Sequence, residues 1–521
     1  MTRHGPAKAG HYVLLGQMTR HGPAKAGHYV LLGQMTRHGP AKAGHYVLLG
    51  QMTRHGPAKA GHYALPSQMT RRRHVPLAIV IAIAALVLAA SVSAITPPAV
   101  TFTDTKLKNG LRLIIAEDHA APVFSIAVIY NVGSRDERNG RTGFAHLFEH
   151  MMFKGSDNVG PGEHFFAIFN NGGSMNGTTN KERTLYYDTL SSNQLDLALF
   201  LEADRMRSLD IVKENLDNQR NAVQEERRQG RDNQPYGRTG EAMDELAFDN
   251  VAYRHSVIGS MEDLNAAAVE DVASFFKTYY APNNAIVAIA GDVSTASTLD
   301  RARKYFESIP PQPAPPPVDV SQPAQAAERR LALDDPLARL PRLDVSYRIP
   351  SSLSPDDDTI NVLAIVLAGG RSSRLYETIV REKQLAVSVN AFAPDSRGPR
   401  LFRIVATASP DKSPDELEAA VYAEIEHVKA GPIAEWEIEK ARNTARRRFV
   451  GDLSTSRSLA DNLAWYALLY GDPAVINTRY DRLATFNAAD VQRIARQYFT
   501  PENRSVVLTR PKPAAASKGG L

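Results

Sequence analysis

The 521-residue chain contains no cysteine. That absence excludes disulfides, thiolate metal sites and a cysteine nucleophile, so any bound metal must rest on histidine and carboxylate side chains. Acidic residues are missing from the first 94 positions, which hold eleven Arg or Lys. Setting that stretch aside leaves 50 basic against 56 acidic residues, and the formal charge of +5 becomes −6 for the remainder. A mildly acidic body has no electrostatic footprint for nucleic acid, and none is expected as a partner. No apolar run reaches the roughly 20 residues that carry a helix across a bilayer. LAIVIAIAALVLAA, at 77–90, comes nearest. With apolar residues at 43% the chain can build more than one core, so at least two domains are expected.

MTRHGPAKAGHYVLLGQ stands at 1–17, 18–34 and 35–51, and a variant follows at 52–68. Solenoid units are usually longer and share an apolar pattern. These units lack one and each opens with Met, so 1–68 reads as duplicated coding sequence outside the mature protein. Their eight histidines carry little weight as metal ligands. Met69 opens a secretory pattern: Arg71, Arg72 and Arg73, the apolar stretch 77–90, and Val92-Ser93-Ala94 as a small-residue cleavage site. Residues 69–94 are therefore expected to be a signal peptide, and the protein periplasmic or secreted. The alternative is an uncleaved segment anchoring it to the inner membrane, the one membrane contact expected.

The mature chain mixes strand and helix patterns without regular βαβ alternation, which points to an α+β fold. TDTKLKNGLRLII (103–115) reads as strand, turn and strand about Asn109-Gly110, and 123–131 and 286–293 read as further strands. Helical patterns run over 142–154, 193–206, 211–229 and 266–279. A first lobe at 95–308 is followed by a Pro-rich linker at 309–327, a second lobe at 328–510 and a tail at 511–521. In the second lobe strands are expected at 342–349, 385–393 and 400–408, and helices at 356–368 and 373–382. EDVASFFKTYYAPNNAIV (270–287) matches ADVQRIARQYFTPENRSV (489–506) at Asp271/Asp490, Val272/Val491, Tyr279/Tyr498, Pro282/Pro501 and Asn284/Asn503. One constant offset, with each copy closing a lobe, implies two related lobes.

GFAHLFEHMMFKG (143–155) holds His146, Glu149 and His150. On a helix the two imidazoles fall about 40° apart and Glu149 about 60° to the other side of His146, so all three share a face. Histidines at i and i+4 can chelate one ion, and the carboxylate between them can reach water on that ion without binding it. Lone histidines are usually satisfied core residues. A chance HxxEH in a body with six histidines has odds on the order of 1%. A catalytic zinc normally takes a third protein ligand and keeps one position open. KENLDNQRNAVQEERRQ (213–229) offers Glu225 and Glu226. Helical phase places Glu226 within the apolar arc of Val212, Leu216, Ala222 and Val223, and Glu225 outside it. A carboxylate on a buried face needs a partner, and a metal would supply one.

With these residues in view, the chain resembles the pitrilysin/insulysin family, which includes β-type subunits of mitochondrial processing peptidase. The family's inverted zinc motif matches His146–His150 and its distal glutamate stands where Glu226 does. The likeness extends over about 103–510. It implies two homologous α+β lobes, each an antiparallel sheet with helices packed on one side, enclosing a clamshell chamber. It also implies one zinc per chain held by His146, His150 and Glu226, with Glu149 as general base. SMNGTTN (174–180) would be the edge strand that holds a peptide substrate through Asn176, Gly177 and Thr178, since an extended peptide can add to an exposed strand by main-chain bonds. Gln219, where some relatives have a second Glu, does not affect the metal site.

One departure matters. Self-sufficient relatives carry an Arg and a Tyr in the second lobe that stabilise the oxyanion. In the matching IVREKQLAVSV (379–389) Arg381 is present and Val387 takes the tyrosine position. Valine cannot donate a hydrogen bond, and losing one such donor typically costs about 100- to 1000-fold. A paralogous subunit supplying the Arg/Tyr pair is therefore the expected partner, with a homodimer as the alternative. LAGGRSSRLYE (367–377) lacks the GK[ST] ending of a phosphate loop and reads as a turn between helices. The expected function is that of a zinc-dependent endopeptidase acting on peptides or unfolded segments. The alternatives are a non-catalytic scaffold subunit and a dedicated precursor-processing protease.

Overall fold

The computed structural model describes residue 97 and residues 99–512. The repeats at 1–68, the signal pattern at 69–94 and residues 513–521 of the tail lie outside the described residues.

Two sheets organise the described chain. The first contains β1 (Thr103–Lys106), β2 (Arg112–Glu117), β3 (Val123–Tyr130), β4 (Ser174–Thr179), β5 (Thr184–Ser191) and β6 (Ala285–Gly291), in the order β1-β2-β6-β3-β5-β4. Every residue of β6 is buried, as a central strand covered on both faces requires. β1 turns into β2 through Gly110, whose φ of 90° suits glycine at a tight turn. The second sheet contains β7 (Arg329–Asp335), β8 (Arg342–Ile349), β9 (Ala386–Phe392), β10 (Arg400–Ala408) and β11 (Arg504–Pro511), in the order β7-β11-β8-β10-β9. Residues 310–328 run between the lobes without helix or strand.

The two sheets repeat one plan. Each is antiparallel except for one parallel pair, β2 with β6 and β7 with β11. Removing β1 lets β2-β6-β3-β5-β4 overlay β7-β11-β8-β10-β9, so β9 is the counterpart of edge strand β4. The repeated asparagines play one part twice. Asn284 Nδ2 donates to the carbonyls of Tyr279 and Asn131, at 2.8 and 3.3 Å. Asn503 Nδ2 donates to those of Tyr498 and Arg348, at 2.7 and 2.8 Å.

The helices that matter to the site are α1 (Phe144–Met151), α2 (Glu163–Asn170), α3 (Leu195–Arg207), α4 (Lys213–Arg227), α5 (Thr239–Ala247) and α6 (Val269–Tyr279) in the first lobe. The second lobe contributes α7 (Asp357–Ala368), α8 (Ser456–Tyr470) and α9 (Ala488–Tyr498). The segment expected as a helix at 373–382 is a π-helical turn over Tyr376–Glu382.

Helices do not cover only one side of each sheet. α8 of the second lobe lies across β3 and β6 of the first sheet, and α5 of the first lobe lies on β7, β8 and β11 of the second. Strand alternation splits the first sheet accordingly. Leu113, Phe124, Ile126, Val128 and Tyr186 join the first lobe's own helices. Ala127, Ile129, Leu185 and Tyr187 share a core with Leu463, Ala464 and Ala467 of α8. Each sheet thus needs the other lobe to bury its second face.

A buried carboxylate ties the lobes where β4 turns into β5. Glu182 accepts from Arg135 Nη1 at 3.1 Å, Arg397 Nε at 3.2 Å, Tyr253 Oη at 2.7 Å and Ser396 Oγ at 2.7 Å. Two guanidinium groups and two hydroxyls satisfy a charge that isolation would make costly.

Candidate metal centre

The helix bearing the HxxEH motif is fixed at its first turn. Gly143 opens α1 with φ 86°, and a Cβ there would lie 2.6 Å from the Ile258 carbonyl oxygen. Glu137, fully buried, accepts from the N–H groups of Gly143 at 2.8 Å and Ala145 at 2.7 Å. It thereby satisfies donors that a helix start leaves free and favours their positive end.

From that helix His146 and His150 project together, their ring centroids 4.8 Å apart. α4 packs against α1 and brings in Glu226, whose Oε2 stands 3.7 Å from His146 Nε2 and 3.4 Å from His150 Nε2. Ligands about 2.1 Å from a tetrahedral zinc lie roughly 3.4 Å from one another. Both nitrogen–oxygen distances lie near that spacing, and the ligand atoms of all three residues lie within 4.8 Å of one another, close enough to share one ion. Glu225 points elsewhere, to Arg228 and Gln229.

The helical-phase reasoning for Glu226 needs correction. Its side chain is 49% exposed, and Val212 and Ala222 of the supposed apolar arc are exposed as well. The buried face of α4 runs through Leu216, Gln219, Val223 and Arg227. Glu226 lies beside that face with its side chain half exposed, which leaves its carboxylate accessible from solvent.

Electrostatics sort the roles of the four groups. Burial and the neighbouring imidazole of His150 hold His146 down at about 4, so it stays neutral and free to ligate. A hydrogen bond from His150 keeps Glu226 below the usual carboxylate range. Burial moves Glu149 the other way, and the opposing bond from Thr179 does not cancel it. Glu149 is 8% exposed, and its Oε2 accepts from Thr179 Oγ1 at 2.5 Å.

Glu149 is wedged against β4. A Cβ on Gly177 would lie 2.9 Å from Glu149 Cγ, so glycine lets the strand close on the carboxylate. Among the described residues β4 pairs only with β5 and stands at the end of its sheet, with no strand on its outer edge. Of the three residues expected to hold substrate, Asn176 is exposed and its Oδ1 accepts from the Gly177 N–H at 2.9 Å. Thr178 is held by Arg183, whose Nη1 donates to its carbonyl at 2.5 Å and its hydroxyl at 2.6 Å. Sequence reasoning passed over Thr179, Arg183 and Glu137. The spacing of Thr179 two residues after Gly177 was the available signal, because it puts both on one face of the strand.

Other candidates lie elsewhere. Arg381 is 65% exposed and pairs with Glu377 of its own turn at 2.7 Å. Val387 is half exposed on β9. His164, Asp188 and Glu202 form a second cluster within ligand distance. It is sealed from solvent, and Glu202 is already held by both nitrogens that Arg205 turns toward it. A guanidinium fills the cationic role there, so the cluster is a buried charge network and not an open metal site.

Residues 112–259 match the family model described as insulinase, peptidase family M16, and residues 267–445 match the model described as peptidase M16 inactive domain. The chain is 28% identical over 408 residues to the zinc protease PqqE of Helicobacter pylori, covering 78% of this chain and 92% of that protein. A solved structure of a Helicobacter pylori protease aligns with TM-score 0.76 at 28% identity, covering 79% of this chain and all of the other. The first half of the periplasmic protease PqqL from Escherichia coli aligns with TM-score 0.67 at 19% identity, covering 82% and 95% of the two chains. Among the described residues no helix is long and apolar enough to cross a membrane.

Proposed function

This chain belongs to the insulinase family of peptidases, family M16, and from that premise we propose that it is a zinc-dependent endopeptidase. One observation carries the proposal: ligand atoms of His146, His150 and Glu226 lie within 4.8 Å of one another, with Glu226 Oε2 at 3.7 and 3.4 Å from the two Nε2 atoms, and both histidines stand on the helix that also carries the buried carboxylate of Glu149. His146, His150 and Glu226 would hold one zinc. That ion, when bound, supplies Lewis-acid polarisation of a carbonyl and lowers the pKa of a bound water. Glu149, held ready to take up a proton, accepts one from the attacking water and delivers it to the leaving amine. Strand β4 binds the peptide backbone along its open edge through Asn176, Gly177 and Thr178, so the site selects extended segments with little sequence demand.

The partner and the location belong to the same reading. Val387 offers no oxyanion donor, which supports a paralogous subunit supplying the Arg/Tyr pair. The E. coli neighbour fits this logic, since the chain matches the first half of a longer protein. That neighbour is a periplasmic protease, and together with the sequence pattern at 69–94 it supports export.

Glu149→Gln tests the reading directly. Zinc retained at one per chain with peptide hydrolysis abolished supports the enzyme. Undiminished hydrolysis by that variant would overturn it. A scaffold subunit would instead complement a deletion strain equally well with Glu149 or Gln.

A further inference from the structure

A cavity of about 540 Å³ opens between the lobes, lined by the β4–β5 turn from Asn180 to Arg183 and by residues of β9, β10 and α8. Its size falls in the range of ligand-binding clefts, roughly 300–1,000 Å³. Nothing in the proposed chemistry uses it. Its position relative to β4 suggests a use.

Directly paired residues on neighbouring strands point to the same face. Gly177 pairs with Tyr186, which belongs to the first lobe's own core, and Gly177 faces Glu149. Thr178 pairs with Leu185, which faces the core shared with the second lobe and lines the cavity. A peptide laid along the edge of β4 would therefore alternate its side chains between the metal side and the cavity side. From Gly177 to Asn180 the strand advances about 10 Å, three residues at roughly 3.4 Å each. The peptide residue over Asn180 then points to the cavity side, at the cavity's lining.

The walls decide what fits. Ile129, Leu185, Phe248, Phe392, Leu401 and Trp465 are apolar or aromatic. Lys181, Arg400 and Glu182 are paired inside the protein, with Asp244 at 2.7 Å, with Asp357 and with Arg397. Arg183 is held by Thr178, and Asp461 pairs with Arg457 at 3.5 Å while its buried Oδ1 lacks a hydrogen-bond partner. Apolar and aromatic walls beside one such carboxylate oxygen suit an aromatic side chain, above all one with an N–H or O–H to donate.

We propose that this cavity is a specificity subsite for an aromatic side chain of the bound peptide, three residues N-terminal to the residue lying over Gly177. The assignment rests on the peptidase reading and on the peptide running antiparallel to β4, as β5 does.

The test uses the zinc-loaded chain carrying Glu149→Gln, so that binding is read without hydrolysis. Labelled ten-residue peptides of one background sequence carry a single Trp moved one position at a time, and anisotropy reports their affinities. One Trp position should bind about 10- to 100-fold tighter than the Ala peptide. Val257→Trp, which fills the cavity, should collapse that ratio towards one. Phe392→Ala, on a wall residue already 40% exposed, should reduce it and guards against misfolding of the first variant. Cleavage mapping with the wild-type chain should place the favoured Trp fourth on the N-terminal side of the scissile bond. A flat Trp scan, a preference that survives both variants, or a favoured position on the C-terminal side overturns the proposal. A Trp preference abolished by Val257→Trp, in a chain that cleaves nothing even when supplied with a paralogue bearing the Arg/Tyr pair, would leave the subsite standing and remove the peptidase reading.

Discussion

Thr179 Oγ1 donates a 2.5 Å hydrogen bond to Glu149 Oε2, joining the edge strand to the helix that carries both histidines. The bond places the carboxylate beside the two imidazoles and opposes the upward push of burial on its pKa. Thr179→Val keeps the side chain's shape and removes the donor. Glu149 then rises further, so a higher pH is needed to ionise the base. The acid limb of the kcat/KM profile should move to higher pH, and kcat/KM near neutrality should fall about tenfold, the equivalent of one hydrogen bond to a charged group. An unshifted acid limb would show that Thr179 does not act through Glu149.

The proposed metal ligands and the proposed base separate by substitution. Glu226→Gln replaces an anionic ligand with a neutral one and should weaken zinc binding by roughly 100-fold or more, since even outer-shell partners account for 10–100-fold. Glu149→Gln should leave one zinc per chain. Metal content after dialysis against a graded chelator series distinguishes the two variants. Equal zinc loss from both would mean that Glu149 helps to hold the ion.

Much of this site was legible in the sequence, because a helix writes its geometry in local spacing. His146, Glu149 and His150 lie within five residues, and about 100° per residue settles which way they face. The structure sets Glu226, and not Glu225, beside the two imidazoles, but helical phase is not the reason. The phase argument counted Val212 and Ala222 as buried, yet both lie exposed, as Glu226 does. What the sequence hid were contacts between distant segments. No periodicity announces that α8 lies on β3 and β6, or that Glu182 meets Arg397 across 215 residues of chain. Thr179 is an ordinary strand threonine until the fold brings α1 against it.

Glu182 carries the next expectation. Glu182→Ala leaves Arg135 and Arg397 buried beside one another without their shared carboxylate. Breaking a buried ion pair from one side typically costs about 3–5 kcal/mol. Denaturant unfolding should show a loss of that size and no change of slope if the lobes still unfold together. A loss below about 1 kcal/mol would mean that water reaches the guanidinium groups.

Burial holds the Asp188 carboxyl up at about 6 against an ordinary 3.8, and neither of its oxygens has a hydrogen-bond partner. A folded state that keeps a proton longer than the unfolded chain is favoured below the ordinary value. That advantage disappears as pH rises through the folded value. Measured against Asp188→Asn, which does not titrate, the wild-type chain should lose about 3 kcal/mol of stability between about pH 4 and pH 7. A gap between the two that stays constant with pH would mean that Asp188 does not titrate in this range and that another member of the cluster does.

The last expectation concerns what Val387 cannot do. The strand correspondence sets β9 where β4 stands in the first lobe, and Val387 presents a half-exposed isopropyl group there. An oxyanion developing on the substrate carbonyl would find no hydroxyl from this residue. Arg381 is engaged by Glu377 on an exposed turn. The isolated chain, zinc-loaded, should therefore cleave peptides about 100- to 1000-fold more slowly than the same chain co-purified with a paralogue bearing the Arg/Tyr pair. The deficit should lie in kcat more than in KM, because an oxyanion donor acts on the transition state and β4 still binds the ground-state peptide. Stopped assays over a range of substrate concentrations separate the two. Full kcat from the chain alone would mean that it completes its own oxyanion site and needs no second subunit.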